Sequence, residues 1–136
     1  MTNWLISSNP RKFQLAEFLR KYEYVDWKQG NTKFKVGDMV YIYSASPIQR
    51  IESVFEVIGV DIPTEDSVRD EAFWTDKNEF RAGVTQNRYV RLKLKECISS
   101  ENLSLDNLKK HGLNGAPQGR VKIKPELLDY INSVLD

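Results

Sequence analysis

Apolar and polar positions divide the chain into short strands, one N-terminal helix and a helical C-terminus. Asn3-Trp-Leu-Ile-Ser7 reads as a short buried strand. Asn9-Pro10 follows as a helix cap and a first-turn proline, where the missing N–H costs nothing. Phe13, Ala16, Phe18, Leu19 and Tyr22 recur near the helical period, which predicts a helix over about 10–22 packed on a sheet. Residues 24–31 read as a connector ending in a Gly-Asn turn. Val36-Gly-Asp38 is a second turn feeding Met39-Val-Tyr-Ile-Tyr43, a run of β-formers closed by Ser44-Ala-Ser-Pro47. Residues 51–60 are apolar at Ile51, Val54, Phe55, Val57, Ile58 and Val60, too continuous for an exposed strand, so this one belongs in the middle of the sheet.

Residues 61–87 are polar and acidic around Phe73-Trp74, which predicts a long excursion with at most a helical turn. Residues 88–96 alternate, with Val90, Leu92 and Leu94 on one face and Arg91, Lys93 and Lys95 on the other. Ser104 caps a first C-terminal helix, with Leu103 and Leu108 as a hydrophobic staple and Gly112 as its stop. A loop, Gly112-Leu-Asn-Gly-Ala-Pro-Gln-Gly119, separates it from a second helix that Pro125 opens and Leu127, Leu128, Ile131, Val134 and Leu135 stripe. With no repeat, linker or low-complexity tract, residues 1–136 read as one α+β domain built on a small, strongly twisted sheet or barrel flanked by helices.

Composition narrows the function more than the fold. The chain has 136 residues, of which 40% are hydrophobic and 29% charged, an ordinary balance for a globular domain. Mean hydropathy is −0.51, and no apolar run approaches the ~18–20 residues that span a bilayer. The N-terminus lacks the features of a signal peptide, so the expected location is cytoplasmic. A lone cysteine, Cys97, and a lone histidine, His111, exclude an internal disulfide and a structural zinc site of the usual ligand set. The net charge of +1 hides a segment: residues 81–124 carry ten basic and three acidic side chains. Such a stretch is either a solvated face cancelled by acidic neighbours or a set of phosphate contacts.

Catalytic chemistry finds little support. His111 sits at the end of a predicted surface helix, where it suits a C-terminal cation better than an acid–base role. Cys97 follows a strand without a histidine neighbour and reads as an inert, half-buried thiol. Glu65, Asp66, Asp70 and Glu71 lack EF-hand spacing and read as a solvated acidic loop, so neither metal nor cofactor is expected. The glycines at 112, 115 and 119 match neither a P-loop nor a dinucleotide fingerprint. Trp4 and Trp74 read as core or loop-anchoring residues. Trp27, between Asp26 and Lys28-Gln29, either packs on the core or offers a platform on which a base stacks. Tyr41 and Tyr43 share a strand face, Ser44 and Ser46 follow it, and Ser8 and Asn9 end the first strand. Hydroxyls and amides at strand ends near an indole suit a planar heteroaromatic ligand.

Four of these segments, in this order, resemble EVE domains of the PUA-like superfamily, which also holds YTH and ASCH domains. Trp4-Leu-Ile-Ser-Ser8-Asn-Pro10 is similar to the family's opening Trp-Leu-x-x-Ser-Asp-Pro. Trp27 falls where the family has its pocket tryptophan, residues 36–44 resemble its Val-Gly-Asp strand ending in Tyr-x-Ser, and residues 51–60 match the next core strand. The C-terminal loop and helix are similar to EVE-like domains found with HNH nucleases or modification-dependent restriction systems. The sequence departs at Asn9, where the family has Asp, and after Trp27, where Lys-Gln-Gly-Asn stands for Gly-Val-Arg-Asn.

The resemblance implies a PUA-like fold whose pocket takes a flipped, modified base, such as methylated cytosine or adenine, in DNA or RNA. Trp27 would be the stacking wall, Ser8 and Asn9 one side, Tyr43 and Ser44 the other, and Lys28 and Gln29 would contact a base edge or phosphate. Arg91, Lys93, Lys95 and Arg120 are the candidate phosphate contacts. The chain holds no nuclease motif, so it is expected not to be an enzyme, and any cutting would belong to a nuclease partner. Two alternatives follow: an ASCH-like ribonuclease using Lys28 and Tyr43 as acid and base, or a binder of free nucleosides.

Overall fold

A computed structural model describes residues 1–9, 15–63 and 88–135. Its six strands are β1 (Asn3–Ser8), β2 (Tyr24–Lys28), β3 (Met39–Ser44), β4 (Arg50–Ile62), β5 (Tyr89–Cys97) and β6 (Arg120–Lys122). They form one mixed sheet in the order β2-β5-β4-β3-β1-β6. β1 and β3 are parallel, and every other pair is antiparallel. The helices are α1 (Leu15–Lys21), α2 (Leu105–Lys109) and α3 (Pro125–Leu135), with a 3₁₀ turn at Glu101–Leu103. The expected α+β class with a twisted sheet and flanking helices is what the chain adopts.

Alternation along the strands sends side chains into two separate cores. The inner face collects Trp4, Ile6, Val25, Val40, Ile42, Phe55, Val57, Val90 and Leu92, and α1 covers it with Phe18. The outer face collects Leu5, Tyr41, Tyr43, Ile51 and Val54, covered by Leu103, Leu108 of α2 and Leu127 and Ile131 of α3. α3 shows its apolar stripe to the sheet and its carboxylates to water, as its spacing predicts. The long β4 lies third in the order, the central place its apolar run requires.

Two strands differ from expectation. Residues 24–28 pair antiparallel with β5 along their whole length, so Trp27 sits on a strand and not in a loop. Tyr-Val-Asp-Trp-Lys does alternate, but with only Val25 and Trp27 on its inward face the run is too short to show the period. Arg120-Val-Lys122, at the end of the glycine loop, pairs with residues 4–6 of β1. The predicted helix start at 10–14 and the excursion at 64–87, with Trp74 and the acidic cluster, lie outside the described residues. Ser104 caps α2 as expected, its hydroxyl accepting from the Asn107 N–H, and Gly112 takes φ +109°, the left-handed stop that favours glycine.

The sheet curls without closing. β2 and β6 stand at its two edges, and a side chain joins them: an Nη of Arg120 donates to the Lys28 carbonyl. Gly30, at φ +58°, lies under the guanidinium, and a Cβ there would stand 3.4 Å from Nη1. An arginine clasp thus stands where a ladder of backbone hydrogen bonds would close a barrel.

Candidate functional site

The two ends of the inner face differ in kind. At the N-terminal ends of β1 and β3, the buried Asp38 carboxylate accepts from Trp4 Nε1 at 3.0 Å, the Thr2 N–H at 2.9 Å and the Lys35 N–H at 3.0 Å. Burial pushes its pKa up, yet these hydrogen bonds outweigh burial and hold it below the ordinary value. This end is saturated, and Trp4 is a structural residue.

Further along the inner face lie other polar side chains, two of which have a buried atom without a partner. Ile6 pairs with Arg120 on one side and with Ile42 on the other, and Ile42 pairs with Ser53, so the four form one row across β6, β1, β3 and β4. Ile6 and Ile42 belong to the inner core, so the row faces inward. One alternation further on, Ser8 and Ser44 stand side by side, both buried. Ser53 Oγ and Arg120 Nε are buried and have no hydrogen-bond partner. Among the described residues no carboxylate pairs with Arg120, and burial lowers its pKa.

Through its clasp, Arg120 also draws the end of β2 to this row. Trp27 faces inward and packs, half-buried, against the inner core. Gln29, two residues on and buried, grips Asp61: its amide donates to Oδ1 at 3.0 Å, and its carbonyl oxygen accepts the Asp61 N–H at 2.8 Å. Asp61 has φ +53°, and this double hydrogen bond holds it there. Gln29 is therefore already engaged in fastening β2 to the end of β4.

The remaining predicted residues do not converge on this end. Tyr43 lies on the outer face with Tyr41, beneath α2 and α3, and cannot form the wall opposite Trp27. Strand alternation explains it: Ser44, its neighbour, is the residue that turns inward. Lys28 alternates with Trp27, which sends its side chain outward while its carbonyl takes the Arg120 hydrogen bond. Asn9 is exposed just past β1. Arg91, Lys93 and Lys95 share the outer face of β5, whereas Arg120 faces inward, so the four do not form one surface. Arg91 is held by both Asp26 oxygens at 2.9 Å and lies over the Tyr24 ring, and Lys95 pairs with Glu56 at 3.5 Å. Lys93 is exposed.

Away from this end, His111 stacks on Tyr130 with ring centroids 3.7 Å apart. Cys97 is exposed at the end of β5 and not half-buried as expected. No group of three or more metal-ligating side chains occurs among the described residues, and no helix there is long and apolar enough to cross a membrane. Sequence reasoning missed Ser53. Its signal was a single hydroxyl inside an otherwise apolar strand, in a stretch where Glu52 is skipped by the β3–β4 register.

The fold is similar to that of a solved ASCH protein. No family model matches the chain, and no curated protein does. An ASCH crystal structure from Zymomonas mobilis superposes with a TM-score of 0.70 at 17% identity, covering 98% of this chain and 95% of that one. An NMR structure of a Rhodopseudomonas palustris protein gives 0.67 at 13% identity, covering 100% and 96%. A Pseudomonas syringae crystal structure gives 0.64 at 17%, covering 97% and 98%. At these identities the likeness is one of fold.

Proposed function

We propose that the chain is a nucleic-acid-binding module that takes a flipped, modified base at the serine–arginine end of the inner face, beside Trp27, and has no catalysis of its own. The observation that carries this reading is Arg120 Nε, buried and without a partner, on a guanidinium that reaches the Lys28 carbonyl next to Trp27. A buried donor without an acceptor costs about 1–3 kcal/mol, and a planar heteroaromatic offers edge acceptors that relieve that cost. Trp27 supplies the adjoining stacking surface, and exposed Lys93 on the outer face of β5 supplies charge outside the pocket. The motifs around Trp4, Ser8 and Trp27 favour an EVE-type reader within the PUA-like fold. A nuclease partner would then supply any cutting.

The ribonuclease alternative loses support from geometry. Tyr43 and Lys28 lie on strands separated by β4 and β5, and Tyr43 is covered by α2 and α3. The Tyr43 hydroxyl is buried without a partner, and burial raises its pKa, which keeps it protonated and unable to accept a proton as tyrosinate. The test is a tryptophan-fluorescence titration with matched short strands, modified and unmodified, at two salt concentrations. Quenching that favours a modified strand, weakens in salt and vanishes in Trp27→Ala is expected. Equal or absent quenching by every strand overturns the reading, and salt-independent binding of free nucleosides would replace it.

A further inference from the structure

Arg120 is the feature of the inner face that normal folding leaves least explained. A guanidinium is donor-only and presents five N–H groups in a planar fork. Here one hydrogen bond goes to the Lys28 carbonyl. Nε has no partner although it is buried, and no carboxylate among the described residues balances the charge. The contrast with Arg91 is direct, since that guanidinium has both oxygens of Asp26 in a bidentate pair. Arg120 is also rigidly placed: its backbone is paired to Ile6, and Gly119 accepts the Ser7 N–H at 3.3 Å. The groups nearest along the sheet, Ser8, Ser44 and Ser53, are hydroxyls that adapt to donor or acceptor. Arg120 alone imposes a pattern.

We propose that Arg120 sets the base class, selecting a base edge that carries two adjacent acceptors, as cytosine-type or guanine-type bases do, and discriminating against adenine-type bases. This rests on the base-reader function above. Cytosine offers O2 beside N3, and guanine offers O6 beside N7, each a match for two parallel N–H donors. Each edge of adenine that bears N6 sets a donor beside an acceptor, so one of the two arginine donors meets an amino group. In a site shielded from water that mismatch leaves charge uncompensated, which is why the discrimination is large.

The experiment measures binding of the full chain to short single strands differing at one position: 5-methylcytosine, cytosine, guanine, N6-methyladenine or adenine. For the parent, the best strand of the cytosine or guanine type is expected to bind at least about tenfold tighter than either adenine strand. The guanine and cytosine arms decide which acceptor edge is read. Arg120→Gln replaces the fork by one donor and one acceptor, a match for adenine, and is expected to erase or reverse that preference. Arg120→Lys keeps the charge and a donor for the Lys28 carbonyl but loses the fork, so it is expected to lower the preference while leaving the thermal midpoint near the parent's. An adenine strand bound best by the parent, or a preference unchanged in folded Arg120→Lys, overturns the inference while leaving the base-reader function standing. No binding of any strand by the parent overturns both.

Discussion

Asp38 and Arg120 are both ionised groups on the inner face of one sheet, at opposite ends of the same strands, and they are treated in opposite ways. Asp38 accepts three hydrogen bonds from the residues that begin β1 and β3, and its buried charge has become part of the framework. Arg120 has a single carbonyl and a buried Nε left bare. Buried polar groups are nearly always satisfied in native proteins; the exceptions among the described residues are the Tyr43 hydroxyl in the outer core and, on the inner face, Ser53 Oγ and Arg120 Nε. The saturated end explains how the sheet holds together, and the unsatisfied Arg120 is where the proposed ligand would bind.

The sharpest way to break this contrast is to remove the saturated carboxylate. Asp38→Ala strands the Trp4 indole N–H and two backbone N–H groups in a buried place. Destabilisation of about 3–5 kcal/mol is expected, read from the denaturant midpoint. The same group predicts an acid limb. Its folded pKa lies below the unfolded value of about 3.9, so the stabilisation is complete above that value and is lost as pH falls through the folded pKa. Stability of the parent is therefore expected to fall below about pH 4. Asp38→Asn, which can still accept at one oxygen, should show a smaller fall over the same range.

Trp27→Ala tests the other end and reads out differently. Loss of a stacking surface is expected to cost about 1–3 kcal/mol of binding, with a smaller loss of stability because the ring is only partly buried among Val25 and Val90. An affinity unchanged by Trp27→Ala would make this tryptophan another core residue like Trp4.

How much of this was legible in the chain depends on which physical signal each residue leaves. β3 and β4 announce themselves through runs of β-branched and aromatic residues, β5 through its alternation, and the caps at Ser104 and Gly112 through local backbone chemistry. β2 was hidden because its five residues put only Val25 and Trp27 inward, and Asp26 is stabilised by an arginine 65 positions away. β6 has three residues and exists only through its pairing with β1, so no local pattern foretells it. The parity of Tyr43 against Trp27 is a matter of register between strands that are not neighbours: period two shows that Tyr41 and Tyr43 share a face, but not which face Trp27 takes. Gln29 reads as a free amide until Asp61 is brought beside it. Arg120 was visible as a cation, but its burial comes from the curl of the whole sheet.

The smallest effect on stability makes the most pointed test. Ser53 stands in the same row as Arg120 and, like it, holds a buried polar atom without a partner. If that hydroxyl were structural, removing it would destabilise the fold as capping or buried hydrogen-bonding serines do. Because it has no hydrogen bond to lose, Ser53→Ala is expected to leave the denaturant midpoint within about 1 kcal/mol of the parent or to raise it, since an unpaired hydroxyl leaves an apolar layer. Binding of the preferred strand should weaken by several-fold at the same time. Stability kept and affinity lost would separate the two ends of the inner face cleanly, whereas stability lost with affinity kept would place Ser53 with Asp38 as part of the frame.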